Sequence, residues 1–136
     1  MSTPDILLVE PTRQDADTIR RLLQRQGHRR GLLVADLSAA LAHLFPDDPK
    51  AAPPGVILLD LWTPHANGCD LLRRIRQHPA TRDVPVVVLS SSRNDWEVLR
   101  CYQLGANSYM TKPEKPDDLA RLAHEAGRFW VSAARP

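Results

Sequence analysis

Short apolar segments, separated by longer mixed ones, set the pattern of this chain. The three clearest cover residues 6–9, 56–59 and 84–89, and residues 32–34 and 108–110 are shorter candidates. Apolar and polar residues do not alternate within the three clear segments, as expected for strands buried on both faces of a sheet. Each of the three is also followed by a polar or charged residue. The pattern therefore predicts five strands.

Helical patterns lie between these strands, with apolar residues that recur every three or four positions. Signals for helix ends accompany them, with starts at Ser38, Asn67, Asn94 and Pro116 and stops at Gly27 and Gly105. Strands and helices that alternate five times are typical of a doubly wound α/β sheet. Residues 46–55, rich in proline and acidic residues, are predicted to form a surface loop.

One domain accounts for the whole chain of 136 residues. We expect it to span residues 1–136, with a core at residues 4–128 and a C-terminal helix extension at residues 129–136. The 43% hydrophobic and 25% charged residues are typical of a soluble folded protein, and a net charge of +2 is too small to indicate nucleic-acid binding. No apolar segment approaches the ~20 residues that cross a membrane, and no signal peptide is visible. The expected location is the cytoplasm.

Polar residues follow the predicted strands at the edge where they can meet. Glu10 follows the first strand, Asp60 the third, Ser90 the fourth and Lys112 the fifth. Ligands of open parallel sheets bind at the carboxyl ends of the strands, so two carboxylates, a hydroxyl and an ammonium should converge there. Each residue alone could be a turn former or a surface charge. Their joint placement at matching strand ends predicts a functional site.

Phosphoryl transfer is the chemistry that this set of groups suits best. The carboxylate of Asp60 can attack a phosphoryl group and form a mixed anhydride. A Mg²⁺ ion held partly by carboxylates would bridge to the phosphoryl oxygens. The ammonium of Lys112 and a hydroxyl would neutralise and hydrogen-bond the remaining oxygens.

The sequence resembles the receiver domains of bacterial response regulators over residues 4–128. The motifs that carry the resemblance are ILLVE at residues 6–10, VILLDLWTP at residues 56–64, Gly68, VVVLS at residues 86–90 and GANSYMTKP at residues 105–113. More narrowly, the chain is similar to the stand-alone regulators that partner bacterial phytochrome-type histidine kinases. That similarity rests on Glu10 at the first acidic position, the long proline-bearing loop and the Phe129–Trp130 ending.

This resemblance implies a fold and a set of roles. The fold is a flavodoxin-like five-stranded parallel sheet in the order 2-1-3-4-5, with helices on both faces. Asp60 becomes the phosphoacceptor and Lys112 the contact to the phosphoryl group, while Ser90 and Tyr109 shift together on phosphorylation. The peptide bond between Lys112 and Pro113 is expected to be cis.

The resemblance also implies a cation and partners. Mg²⁺ would be held by Glu10, Asp60 and the backbone carbonyl of Trp62. The partner would be a sensor histidine kinase, which the narrower similarity places in the bacteriophytochrome class, and no membrane or nucleic-acid partner is expected. A homodimer is expected through the fourth helix, fifth strand and fifth helix, the face through which the similar stand-alone regulators pair. The successive residues Phe129, Trp130 and Val131 support it, because they span too wide an arc of a helix for all three to face the core. A receiver domain is a signalling domain, not an enzyme.

Pro11 departs from the family pattern, in which a second acidic residue follows the first and is the more direct metal ligand. With Pro11 there, Glu10 and Asp60 are the remaining carboxylates, since Asp15 and Asp17 are expected to point away, and Mg²⁺ should bind weakly. The leading hypothesis is phosphotransfer, impaired by Pro11. The alternative is a degenerate receiver that binds proteins whatever its phosphorylation state.

Two other classes of site have little support. A flavodoxin-like cofactor binder or small enzyme would need a phosphate-binding glycine loop, and the first turn instead reads Glu10-Pro11-Thr12-Arg13. Cys69 and Cys101 have no paired spacing, so they are interpreted as small buried thiols and not as a disulfide or metal ligands.

Overall fold

The computed structural model describes residues 5–10, 13–25, 31–48, 50–60, 67–90, 95–122 and 125, with the backbone alone described at residues 67–69. Strands and helices alternate through these residues as β1 Ile6–Val9, α1 Arg13–Arg25, β2 Leu32–Ala35, α2 Leu37–Leu44, β3 Val56–Asp60, α3 Asn67–Gln77, β4 Val86–Ser90, α4 Asp95–Gln103 and β5 Ser108–Thr111. A further helix, α5, covers residues 116–122. The predicted alternation is confirmed. Among the helices described, none is long and apolar enough to cross a membrane.

The start of α2 differs from the sequence prediction. Ser38 was expected to cap this helix, but it lies inside the first turn. The cap is Asp36, whose carboxylate accepts a hydrogen bond from the N–H of Ala39 at 2.8 Å. This bond satisfies one of the N–H groups that have no partner within the helix. The signals at Gly27 and Asn94 lie outside the described residues.

All five strands are parallel, in the order β2-β1-β3-β4-β5, which confirms the predicted topology. The register pairs Asp60 with Leu89 and Ser90 with Thr111. The carboxyl ends of β3, β4 and β5 are therefore level with one another. Side chains at and just after these ends share one edge of the sheet, which we call the carboxyl edge; the opposite edge is the amino edge.

The sheet divides the core into two clusters. On one face, α2, α3 and α4 cover alternate strand residues, among them Leu7, Val9, Ile57, Leu59, Val86 and Val88. On the other face, α1 and α5 cover the residues between, among them Ile6, Leu8, Val56, Leu58, Val87 and Leu89. Every residue of β1, β3 and β4 is buried as a result. This explains why apolar and polar residues do not alternate in these strands.

The helices differ in how many of their residues are buried in the core. α1 buries Ala16, Ile19 and Leu23, whereas α4 buries only Cys101 completely. Burial of Cys101 agrees with its prediction as a small buried thiol, and the side chain of Cys69 lies outside the described part of the chain. Large exposed apolar side chains lie on α4, namely Trp96, Leu99 and Tyr102, and Met110 of β5 is exposed as well.

Arg76, on α3, connects the segments that precede β4 and β5. Its Nε donates to the carbonyl of Gly105 at 2.8 Å, and its other nitrogens donate to the carbonyls of Arg82 and Val84 and to Oδ1 of Asn107 at 2.6–2.9 Å. We call these bonds the Arg76 network. They tie three segments together at the amino edge of the sheet, opposite the edge where Asp60 lies.

Two other features complete the Arg76 network. Oδ1 of Asn107 also accepts a hydrogen bond from the N–H of Val86, the first residue of β4, at 2.8 Å. Gly105 has φ +106, and a Cβ there would lie 2.7 Å from Cγ of Arg76. Both the positive φ and the close approach require glycine at this position. Contacts with Arg76 therefore explain Gly105 and Asn107 of the motif, while Ala106 between them is buried in the hydrophobic core.

Candidate functional site

The strand ends bring together three of the predicted site residues. Asp60 is the last residue of β3, and Glu10 and Lys112 directly follow β1 and β5. Main-chain bonds hold the two following residues in the sheet, from the N–H of Glu10 to the carbonyl of Ala35 at 2.9 Å and from the N–H of Lys112 to the carbonyl of Ser90 at 2.8 Å. Glu10 and Asp60 are each only 1% exposed.

The ammonium of Lys112 lies between the two buried carboxylates. Its Nζ is 2.5 Å from Oδ2 of Asp60 and 3.5 Å from Oε2 of Glu10. Burial lowers the pKa of Lys112, but its interactions with Asp60 and Glu10 together outweigh that effect and raise the pKa above its ordinary value. Lys112 is therefore a cation at neutral pH. It is close enough to act on any group that is attached to Asp60.

The Lys112–Pro113 peptide bond is trans, so the prediction of a cis bond is wrong. The prediction assumed that a cis bond is needed to aim the lysine. In this structure the hydrogen bond to Ser90 already fixes the main chain of Lys112 at the end of β5. The trans form, which X–Pro bonds generally prefer, then suffices to direct the side chain at the carboxylates.

Ser90 and Tyr109 lie where the sequence placed them, on adjacent strands. Ser90 is buried at the end of β4, in register with Thr111. Tyr109 is half-buried on β5 beside Val88 and packs against the core cluster beneath α2, α3 and α4. Both residues are therefore near the carboxyl edge, on the α4 side of the sheet. Their predicted role as a switch stays a prediction.

The predicted metal ligands are only partly described. Glu10 and Asp60 come together through Lys112, whereas Trp62 and Pro11 lie outside the described residues. Among the residues that are described, no group of three histidine, cysteine, aspartate or glutamate side chains could hold a metal ion. Two buried carboxylates nonetheless fit Mg²⁺, which proteins commonly hold by one or two carboxylates together with water and phosphate oxygens.

A cavity of about 150 Å³ lies next to Glu10 and Lys112, between α1 and the start of α5. Polar residues and an apolar wall line it, namely Glu10, Asp15, Thr18, Ile19, Lys112, Pro113, Glu114, Pro116 and Leu119. Asp15, four residues before the buried Ile19 on α1, is exposed and borders this cavity. The expectation that its carboxylate points away from the site stays a prediction.

Asp17, by contrast, agrees with its prediction. Its carboxylate is paired with Arg20 at 2.5 Å on the solvent side of α1, and both side chains are substantially exposed. Two aspartates only two positions apart thus point in different directions, because successive residues of a helix are rotated by about 100°.

A match to a known protein family identifies the kind of domain that this chain forms. The profile of the response regulator receiver domain matches residues 6–124, which is most of the chain. The chain belongs to this family. Receiver domains are signalling domains of two-component systems, and the placement of Asp60, Lys112 and Glu10 agrees with that membership.

Individual relatives show which response regulators within the family the chain is similar to. The response regulator Rcp1 of Synechocystis sp. is 33% identical over 132 residues, covering 93% of this chain and 88% of Rcp1. A structure of the phosphorylated cyanobacterial phytochrome response regulator RcpA has a TM-score of 0.76 at 31% identity and covers 98% of both chains. The Mn²⁺-bound form of Rcp1 has a TM-score of 0.71 at 30% identity, with 97% of this chain and 98% of that chain covered.

Proposed function

We propose that this receiver domain accepts a phosphoryl group on Asp60 from the phosphohistidine of a sensor kinase. The observation that carries the proposal is the pair formed by the buried Asp60 carboxylate and the Lys112 ammonium at 2.5 Å. Asp60 ends a central strand that is buried over its whole length, so its position is fixed by the core on both faces. A fixed nucleophile beside a fixed cation is the arrangement that phosphoryl transfer requires.

The transfer itself would run as follows at these residues. An oxygen of the Asp60 carboxylate forms the new P–O bond while the P–N bond of the donor phosphohistidine breaks. The electron pair of the P–N bond stays on the donor imidazole, which takes up a proton. Lys112 neutralises part of the negative charge on the phosphoryl oxygens, since its ammonium already lies within reach of Asp60.

A divalent cation, Mg²⁺ in our proposal, would be held by Glu10, Asp60 and the backbone carbonyl of Trp62. When bound, it would supply positive charge to the phosphoryl oxygens. That the similar response regulator Rcp1 has an Mn²⁺-bound form supports binding of a divalent cation by this domain. Because Pro11 brings no carboxylate, we propose weak binding and a correspondingly impaired transfer.

Phosphorylation would be read through Ser90 and Tyr109. Ser90 can donate a hydrogen bond to a phosphoryl oxygen on Asp60, because β3 and β4 are adjacent and both residues end their strands. A shift of Ser90 would make room for Tyr109 to move towards β4. Both movements occur next to α4 and β5, so these elements would present the change to a partner.

Labelling with a phosphohistidine donor tests the proposal. Wild-type protein should acquire an acid-stable, alkali-labile label that is absent in Asp60→Asn. Asp70→Asn is the matched control, because Asp70 is an exposed carboxylate on α3 whose only described ion pair is a 3.6 Å contact with Arg73. Label that persists in Asp60→Asn would show that another residue is the acceptor.

A second candidate function is a protein-binding adaptor that does not depend on phosphorylation. Pro11, in place of the second acidic residue, is the observation that favours it. A phosphate-affinity gel separates the two candidates after incubation with a phosphohistidine kinase. A shifted band for wild type and none for Asp60→Asn supports the phosphoacceptor, whereas no shifted band in either supports the adaptor.

The kinase partner is proposed to be a bacteriophytochrome, because RcpA is a phytochrome response regulator of the same length class and fold. We further propose that the domain spans residues 1–136 and is located in the cytoplasm. Residues 129–136 of the proposed helix extension lie outside the described part of the chain.

Homodimer formation through α4, β5 and α5 belongs to the same proposal. Trp96 on α4 is 79% exposed, and Leu99 and Tyr102 follow it at intervals of three residues along the same helix, while Met110 of β5 is also exposed. Exposed apolar side chains grouped in this way are typical of a contact surface. The proposed contribution of Phe129 and Trp130 rests on the sequence alone.

Sedimentation equilibrium at tens of micromolar tests the dimer. Trp96→Ser/Leu99→Ser and Phe129→Ser/Trp130→Ser should each weaken the association by at least tenfold if both parts of the surface contribute. His43→Ser, at an exposed position on α2, is the control and should associate as wild type does. A monomeric wild-type protein at these concentrations would contradict the dimer.

A further inference from the structure

Helix α4 is attached to the core mainly at its carboxyl end. Cys101 is the residue of α4 that is fully buried, and Leu104 and Ala106, which follow the helix, pack in the same core cluster beneath α2, α3 and α4. Residues 95–97, at the amino end, are exposed, and Val98 is only half-buried. The apolar groups that hold α4 to the core therefore lie in its last turn and in the turn that follows.

The main chain closes this end of α4 with a Schellman motif. Gly105 has φ +106, its N–H donates to the carbonyl of Tyr102 at 3.1 Å, and the N–H of Ala106 donates to the carbonyl of Cys101 at 2.9 Å. These two bonds satisfy carbonyls that have no partner within the helix. The apolar pair that often accompanies the motif is present as well, since Cys101 and Ala106 are both buried in one cluster.

The Arg76 network joins this capped end to the rest of the protein. Nε of Arg76 donates to the carbonyl of Gly105 at 2.8 Å, and another of its nitrogens donates to Oδ1 of Asn107 at 2.6 Å. The N–H of Asn107 in turn donates to the carbonyl of Val86, the first residue of β4, at 2.9 Å. The carboxyl end of α4 is thus bonded both to α3 and to the sheet, at the amino edge.

The amino end of α4 belongs to the carboxyl edge, where Asp60 lies. Only residues 91–94 separate Ser90, the last residue of β4, from Asp95, the first residue of α4. A change at Ser90 would therefore act on the end of α4 that the core holds least. At ~1.5 Å per residue the helix is about 12 Å long, so a rotation of ~10° about its carboxyl end would move its amino end by about 2 Å.

We infer that Arg76 is the pivot of α4, which holds the carboxyl end of the helix while modification of Asp60 moves mainly its amino end. The inference rests on the proposed phosphoacceptor function and adds how the modification becomes a movement. Arg76 touches neither Asp60 nor the phosphoryl group, so it is a positioning residue. A helix fixed at one end can only rotate about that end, whereas a helix held at neither end can also slide along the sheet. The pivot therefore gives the movement of Trp96 a defined direction.

NMR spectra of ¹⁵N-labelled protein, recorded before and after addition of phosphoramidate and MgCl₂, test this inference. In wild type, the changes in amide chemical shift at residues 95–98 should exceed those at residues 103–106 by about threefold or more, because displacement grows with distance from the pivot. Residues 95–98 are also closer to Asp60, which adds to this ratio. The deciding measurement is therefore how the ratio differs between wild type and variants.

Arg76→Ala should reduce that ratio by about half or more, because the carboxyl end of α4 then moves as well. Each variant is compared with itself before and after phosphorylation, so a static change around the missing side chain does not contribute. Arg73→Ala is the matched control on the same helix and should keep the wild-type ratio, since the described ion pair of Arg73 is an exposed 3.6 Å contact with Asp70. Arg76→Lys keeps the charge but not the planar set of donors and should give a ratio between the two. It makes the same comparison if Arg76→Ala does not fold.

The outcomes separate the pivot from the phosphoacceptor function. The same ratio in wild type and in the folded Arg76 variants would overturn the pivot, and label on Asp60 in those samples would leave the phosphoacceptor function intact. Equal shift changes at the two ends of α4 in labelled wild type would overturn the pivot as well. Wild-type protein without label on Asp60 would contradict the phosphoacceptor function, and the pivot with it.

Discussion

Two half-buried cations lie at opposite edges of one sheet and are held in different ways. At the amino edge, Arg76 donates only to neutral oxygens, three main-chain carbonyls and the Asn107 amide. At the carboxyl edge, Lys112 faces the carboxylates of Glu10 and Asp60. The partners of Arg76 cannot change their charge, whereas those of Lys112 change when a cation or a phosphoryl group arrives. The amino edge therefore fixes the fold, and the carboxyl edge can respond to chemistry.

Removal of Arg76 should have the largest effect on stability. Arg76→Ala deletes the whole Arg76 network and leaves half-buried carbonyls without a donor, so the free energy of unfolding should fall by about 3 kcal/mol. Urea denaturation measures this fall in the free energy of unfolding. Arg82→Ala is the control and should cost less than about 0.5 kcal/mol, because the one ion pair of its side chain within the described residues is an exposed 3.8 Å contact with Asp83.

The same variant tests the proposed division between the two edges. The folded fraction of Arg76→Ala should still take up label on Asp60 at the wild-type level. A complete loss of labelling in folded protein would show that the amino edge also shapes the site, and the contrast drawn above would be wrong.

Removal of Lys112 should have a smaller effect that depends on added cation. Lys112→Met leaves Glu10 and Asp60 buried side by side without their ammonium, and we expect a loss of about 2 kcal/mol at neutral pH. Mg²⁺ should restore more stability to this variant than to wild type, because the ion replaces the missing positive charge. Lys115→Met, at an exposed position just before α5, should show neither effect in the same thermal unfolding series.

A carboxylate added next to Glu10 should strengthen cation binding at the carboxyl edge. Pro11→Asp is expected to tighten Mg²⁺ about tenfold, or about 1.4 kcal/mol, by supplying one more anionic ligand. A titration followed by tryptophan fluorescence measures the affinity. Ala51→Asp adds the same charge in the exposed loop before β3 and should leave the Mg²⁺ affinity unchanged. Identical titrations for Pro11→Asp and wild type would contradict the proposed cation site.

The smallest expected effect is the pH dependence that comes from Lys112. Its pKa is raised above the ordinary 10.5 in the folded protein, so its contribution is complete below that value and disappears as the pH rises through the raised pKa. The difference in unfolding free energy between wild type and Lys112→Met should therefore shrink above pH 10.5, by at most about 1.4 kcal/mol per pH unit. A difference that stays constant up to about pH 12 would mean that Lys112 is not stabilised by these carboxylates.

The sequence predicted the carboxyl edge far better than the amino edge. Asp60 and Lys112 could be found because both follow apolar strands, and parallel strands bring such positions to one edge. Arg76 could not be found in this way, because an arginine among other arginines on α3 resembles a solvent-exposed charge. Three of its four partners are main-chain carbonyls, which are the same for every residue type and leave no trace in a sequence.

The error at the start of α2 has a local physical cause. Ser38 and Asp36 are both good capping residues, and the choice between them depends on where the turn before α2 ends.

The weak anchoring of α4 has a consequence for binding energetics. With Cys101 as its only fully buried residue, α4 should open to hydrogen exchange at a lower free energy than α1, which buries three. Under the proposed switch through Ser90 and Tyr109, a ligand that prefers one position of α4 also favours one state at Asp60, and modification of Asp60 changes that ligand's affinity by the same factor. A partner that covers Trp96 would then shift the equilibrium between unphosphorylated and phosphorylated Asp60.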